Sequence, residues 1–263
     1  MWKQRTEITN HRRYILYYVG IAVMVFGLVG LIVCAKKQRV NPAMQSVAVV
    51  FALIMFTGLG VALYDQMGGN VQGEIENEQL FLYSRSASAG KCLKAVKPGA
   101  KVLFVTNPGW DKEENRKGQV TKQVEAFKAA YGSGDVVIDS IPLPPNYDEN
   151  ADTIEDVVTI KEFTALLDKN KDAQIIVTDI GLPDKGERLF RDKNAPIVFL
   201  LSQGNISGKA LKNLFKSGKV VGMVGYKSKA DYEVKADEDD LLKSFDVRYE
   251  LIDGSNYTKH NFN

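Results

Sequence analysis

The stretch VTDIGLPDKG, Val177–Gly186, runs from apolar residues onto an aspartate and then turns on Leu-Pro. A carboxylate at a strand end can accept a phosphoryl group, hold a cation or take a ligand hydroxyl. Similar junctions follow other apolar runs, in TNPGWD, SQGNIS and GYKSKAD. Six residues there are candidates for ligand binding: Asn107, Gly109, Trp110, Asp179, Ser202 and Tyr226. They offer one carboxylate, an amide, hydroxyls and two aromatic rings, which suits holding a small molecule better than transforming one. Turns select several of the same residue types for backbone reasons alone.

Catalysis has little to draw on. The only histidines, His11 and His260, lie near opposite ends of the sequence, which excludes a histidine-based triad or a His-rich metal site. Cys34 and Cys92 form no CxxC pair, and no structural disulfide is expected between them. SASAGKC (86–92) carries Cys92 where a phosphate-binding loop needs Ser or Thr, and Arg85 stands where it needs glycine. No GxSxG elbow occurs. The acidic run Asp237, Glu238, Asp239, Asp240 precedes Leu241 and is expected in the first turn of a helix, complementing its dipole. No enzymatic activity, metal or cofactor is expected.

The turns must be brought together by the elements between them. Apolar runs bounded by turn residues occur at 101–107, 135–141, 173–180, 195–202, 219–226 and 247–252, and they are continuous rather than alternating. Helical spacing separates them. Val120, Val124, Phe127 and Tyr131 share a face, as do Ile160, Phe163, Leu166 and Leu167, and Ile206, Ala210, Leu211, Leu214 and Phe215. Strands buried on both faces, each followed by a helix, predict a mostly parallel sheet in a three-layer, Rossmann-like α/β domain over 98–263. Such domains place ligands at the carboxyl ends of their strands, where the six candidates fall.

Two resemblances attach to these residues. VTDIGLPDKG resembles the phospho-acceptor strand end of a response-regulator receiver domain. That likeness implies a Ser or Thr and a lysine at later strand ends, and Ser202 and Lys227 fill those positions. A receiver also needs an acidic pair at the end of the first strand, where this chain has Thr106 and Asn107, so phosphorylation of Asp179 is not expected. GAKVLFVTNPGWDKEENRKGQVTKQVEAFKAAYG is similar to the opening strand, Asn-containing loop and first helix of the N-terminal lobe of type I periplasmic-binding-like proteins, including the ABC substrate-binding group. AQIIVTDIGL and APIVFLLS are similar to their third and fourth strands. The resemblance spans about 99–226 and implies a small ligand held at the strand ends. Asn107, Trp110 and Asp179 would then line half a cleft, with a second subunit completing it.

Residues 1–64 are of another kind. They carry seven Lys/Arg against Glu7 alone, whereas 65–263 carry 27 Lys/Arg against 31 Asp/Glu. An acidic domain without a basic stripe argues against nucleic acid as a partner. Tyr14–Ala35 and Val47–Tyr64 are charge-free runs of 22 and 18 residues, long enough to cross a bilayer. They predict a two-helix transmembrane hairpin over 14–64 after a basic tail over 1–13, with a Gly-rich linker and connecting helix over 65–97. Gly30 with Cys34, and Gly58 with Ala62, are spaced for close helix packing.

The partners expected are therefore the lipid bilayer, other subunits of a membrane complex or a second copy of the chain, and a small ligand. Lys3, Arg5, Arg12 and Arg13 favour a cytoplasmic domain, while the acidic flank after the second run opposes it. The sequence points to a non-enzymatic scaffold, assembly or sensing subunit in the cell membrane. The alternative is a single-lobe module that binds a small ligand.

Overall fold

A computed structural model describes residues 2–38, 44–132, 134–142 and 157–262, with side chains described for all of these but 2–17, 38, 44 and 63–72. The proline-rich segment after β2 falls outside the described residues from 143 onward. The chain divides into two units, Met1–Glu76 and Asn77–Asn263.

In the second unit the apolar runs become strands β1 (Val102–Thr106), β2 (Val136–Ser140), β3 (Ile175–Thr178), β4 (Ile197–Leu200), β5 (Val220–Tyr226) and β6 (Tyr249–Asp253). They form one sheet in the order β2-β1-β3-β4-β5-β6, parallel except for β6, which pairs antiparallel with β5. Helices α3 (Glu114–Tyr131), α4 (Ile160–Lys169), α5 (Gly208–Lys216) and α6 (Leu241–Arg248) accompany it, with the part of α2 (Met44–Val96) from Asn77 onward, while α1 (Trp2–Gln38) and the rest of α2 belong to the first unit.

The strand period of two sorts the core into two layers. Leu103, Val105, Ile176, Val198 and Leu200 face Phe163 and Leu166 of α4 and Leu211, Leu214 and Phe215 of α5. Val102, Phe104, Ile175, Val177 and Phe199 face Phe127 and Tyr131 of α3, Phe245 of α6, and Phe81, Ala89 and Leu93 of α2. Continuous apolar strands arise because both faces of the sheet are covered.

The second half of α2 is therefore a helix of the α/β domain. Its run of Ser, Ala and Gly from Ser84 to Gly90 is buried and lets it approach α3 closely. A Cβ on Gly90 would collide with the Phe127 carbonyl. Phe104 meets Phe127 edge-on at 5.9 Å, and the Tyr131 hydroxyl donates to the Lys97 carbonyl at 2.7 Å while accepting from Ala100 N at 2.9 Å.

Two local expectations are corrected. Residues 65–79, read as a glycine-rich linker, are helical and lie inside α2. Gly68, Gly69 and Gly73 cost the helix roughly 1 kcal/mol each, but helix on both sides removes the need for nucleation there. The acidic run before α6 lies outside its first turn: Asp240 is the N-cap, its side chain accepting from Lys243 N, and Asp237 pairs with Lys243 Nζ at 3.0 Å.

In the first unit, Tyr18–Lys37 and Gln45–Ala62 are helical stretches of 20 and 18 residues, long and apolar enough to cross a membrane. They pack on each other through their glycines. A Cβ on Gly27 would come within 2.7 Å of Met55 N, and one on Gly58 within 2.6 Å of Met24 N. Cys34 and Ala62 are buried as well, so the small residues serve packing within the pair. Val25, Phe26, Val29, Ile32, Leu53 and Phe56 are exposed on the outer faces.

Gly90→Ala is expected to force α2 from α3 and cost about 1–3 kcal/mol. Gly118→Ala, where a Cβ on α3 would meet nothing within 4 Å, is expected to gain roughly 0.5–1 kcal/mol from helix propensity. Denaturant melts followed by near-ultraviolet circular dichroism compare the two.

Candidate functional site

β2 and β3 lie on opposite sides of β1, so the connections diverge there and leave a crevice at the carboxyl ends of β1 and β3. Asn107 follows β1 and Asp179 follows β3; both line a cleft of about 610 Å³ that extends past Ser202 to Tyr226 at the end of β5. Four of the six candidate residues thus share one site. The other two do not join it. Gly109 lines a separate depression with Ser140 and Glu162, and Trp110 packs half-buried against the layer that holds Phe127.

The cleft's walls come from helices. α2 supplies Leu82 and Arg85, and α3 supplies Gln119, Val120 and Gln123. Arg85 is the group that sequence reading missed. Its Nη2 lies 3.1 Å from Asp179 Oδ1 and also donates to the Leu201 carbonyl at the end of β4, with side-chain exposures of 9% and 15% for the pair. Each charge answers the other, and the pair stitches α2 to two strand ends.

Several polar groups here remain unsatisfied. Arg85 Nε and Gln123 Nε2 are buried without a hydrogen-bond partner, and Gln123 is only 4% exposed. Thr106 Oγ1, one residue before Asn107, is in the same state. Buried donors without acceptors are costly, and an incoming acceptor relieves that cost.

The far wall is built by β6 and the C-terminal segment. Glu250 and Ile252 of β6 face the cleft with His260, Asn261 and Phe262. Phe262 stacks on Phe215 at 5.9 Å, Phe215 stacks on Tyr257 at 5.3 Å, and His260 Nδ1 lies 3.7 Å from Glu250 Oε1. Gly208 permits this path, since a Cβ there would strike the Phe262 backbone. Under Asp179, the loops after β3 and β4 touch backbone to backbone through Gly181 and Gly204, at φ 68° and 70°, and Leu182 bridges to Gly204. Side chains at either glycine would part the two loops.

A phosphoryl site is not assembled here. Lys227 Nζ donates to the Asp246 carbonyl, Asp179 is engaged by Arg85, and the end of β1 offers Thr106 and Asn107.

A third depression lies among α2, α6 and β6, lined by Cys92, Phe245, Leu251 and Asp253. Burial, assisted by the Asp253 carboxylate, pushes the Cys92 thiol up to about 11. In a Cys34→Ala background, about one Cys92 thiol in a thousand is ionised at pH 8, so iodoacetamide alkylation should be slow and accelerate towards pH 11. Mass spectrometry of the labelled protein reads this directly.

The Arg85–Asp179 pair makes a second prediction. Asp179→Ala should cost about 3–5 kcal/mol by stranding a buried guanidinium, whereas Arg85→Met with Asp179→Leu should recover most of that loss. Denaturant melts of Arg85→Met, Asp179→Leu and the double variant close the cycle, with Asp179→Ala measured beside them.

No protein-family model and no curated protein sequence matches the chain. Solved structures similar to it include GanP, a glucose-galactose binding protein from Geobacillus stearothermophilus, at 12% identity and a TM-score of 0.39 over 66% of this chain and 61% of that one. A substrate-binding protein of a sugar ABC transport system from Bordetella parapertussis has 12% identity and a TM-score of 0.41 over 69% and 58%. An ABC transporter solute-binding protein from Burkholderia graminis, in complex with D-arabinose, has 11% identity and a TM-score of 0.41 over 68% and 62%. The chain spans about three fifths of the length of these proteins. They are of the kind that residues 99–226 resemble in sequence, and likenesses this distant carry no functional information about this chain.

Proposed function

We propose that the second unit is a single-lobed, non-enzymatic binding module for a small, neutral, polyhydroxylated ligand, carried on a two-helix membrane anchor. The observation that carries this reading is the strand-end cleft containing the buried, unpartnered Gln123 amide and Arg85 Nε. Its volume of about 610 Å³ is ample for a monosaccharide-sized molecule.

The polarity of the cleft favours a neutral ligand. Arg85 and Asp179 neutralise each other, Glu250 lies 3.7 Å from His260 on the far wall, and the other polar side chains are amides and hydroxyls, from Asn107, Gln119, Gln123, Ser202 and Asn261 among them. Such groups both donate and accept, as ligand hydroxyls do. Tyr226 and Phe262 add apolar faces for the C–H surface of a ring. A scaffold or assembly role finds no comparable support among the described residues.

The anchor rests on the length of the two apolar helices and on the exposed Val, Leu, Ile and Phe of their outer faces. In water those faces would be a large apolar liability, and in hydrocarbon they are matched. The basic N-terminal residues favour a cytoplasmic domain, against the acidic flank that follows the second run.

Titration calorimetry of the full-length protein in detergent with D-galactose, D-glucose and D-arabinose should detect binding of at least one. Gln123→Leu should weaken it about tenfold or more, and the matching uronate or aldonate acids should bind less well than the neutral sugars. Absence of binding by all three sugars to the wild type would reject the reading. Protease added to intact cells should leave the domain uncut, and cutting should appear only in inverted vesicles.

A further inference from the structure

We infer that a ligand in the cleft competes with α2 for Asp179, so that occupancy resets how residues 77–96 of α2 seat on the sheet. This deepens the ligand-binding reading and rests on it.

α2 is held at two polar points seven residues apart, about 10.5 Å along the helix and close to two full turns, the first on α6 and the loop before it and the second on the strand ends. At the first, Glu78 accepts from Arg248 Nη1 at 2.6 and 2.7 Å, and Asn77 Oδ1 accepts from Ala236 N at 2.7 Å. Arg248 is itself buried, with its guanidinium carbon 3.5 Å from the Phe81 ring centroid and Nη2 donating to the Tyr232 carbonyl. At the second point Arg85 holds Asp179 and the Leu201 carbonyl. Leu82, between the two points, lines the cleft, and Glu78 does not.

Only the second point is within reach of a ligand in the cleft. The direct contact of 3.1 Å between Arg85 and Asp179 leaves no room for a hydroxyl between them. A ligand hydroxyl that takes the place of Arg85 Nη2 at Asp179 Oδ1, accepting in turn from Arg85 Nε, which has no acceptor, moves the guanidinium away from the strand ends. The Arg85 side chain is packed at 9% exposure, so the displacement passes to its helix rather than ending in a free rotamer swing. The helix that would respond also contains the second apolar run, Gln45–Ala62.

The test uses the full-length chain in detergent, with D-galactose, D-glucose and D-arabinose as probes. Hydrogen–deuterium exchange should show amides of residues 77–90 changing at least tenfold when a sugar binds, with β1 and β3 unchanged. Glu78→Gln, which loosens the first point without touching the cleft, should raise sugar affinity at least threefold. A sugar that binds while exchange in α2 stays constant, with Glu78→Gln affinity within twofold of wild type, overturns the coupling and leaves the binding reading standing. Absence of binding by all three sugars overturns both.

Discussion

A buried arginine on the sheet-facing side of a helix sets how this domain is put together at its strand ends. The second half of α2 must lie flat on the sheet to cover Phe104, Val177 and Phe199, and its small residues allow it to. Doing so carries Arg85 into a site where its charge needs an answer, because an uncompensated buried charge costs several kcal/mol. Asp179 supplies that answer from the end of β3, and the Leu201 carbonyl supplies the rest from β4. The strand ends and the helix are thus positioned by one shared contact.

The cleft follows from that contact and from sheet topology. A parallel sheet whose connections diverge around β1 leaves a crevice between the loops after β1 and β3. α2 and α3 wall it on one side, and the Phe215, Tyr257 and Phe262 stack fixes the C-terminal segment on the other. Polar atoms left unsatisfied inside are then set by the scaffold rather than by mobile side chains.

Much of the fold was legible in the residues, for physical reasons that differ between elements. Apolar runs such as VLFVT and IIVT can be buried on both faces only in a covered parallel sheet, so the architecture was readable. The strand-end rule then led to Asn107, Asp179, Ser202 and Tyr226. Trp110 and Gly109 fall outside the strand-end cleft because the rule selects a loop, and the turn through Gly109 at φ 71° carries Trp110 back onto the core. Arg85, Gln123 and His260 were not legible as site residues. Their partners lie 94 residues away in the case of Arg85 and Asp179, and no local pattern encodes that distance. The one available signal was compositional: an arginine inside the small-residue run from Ser84 to Gly90 sits on a helix too closely packed for its charge to stay free. The glycines at 68, 69 and 73 misled in the opposite direction, since a helix continuing from both sides overrides their propensity.

The account stands or falls on what occupies the strand-end cleft. A crystal structure of the full-length protein grown with D-galactose is the most direct measurement. The account predicts sugar density between Asp179 and Gln123, with ring hydroxyls within hydrogen-bond distance of both and the Arg85 guanidinium drawn back from Asp179. A cleft empty of sugar at saturating concentration, with the Arg85–Asp179 contact intact, would contradict it.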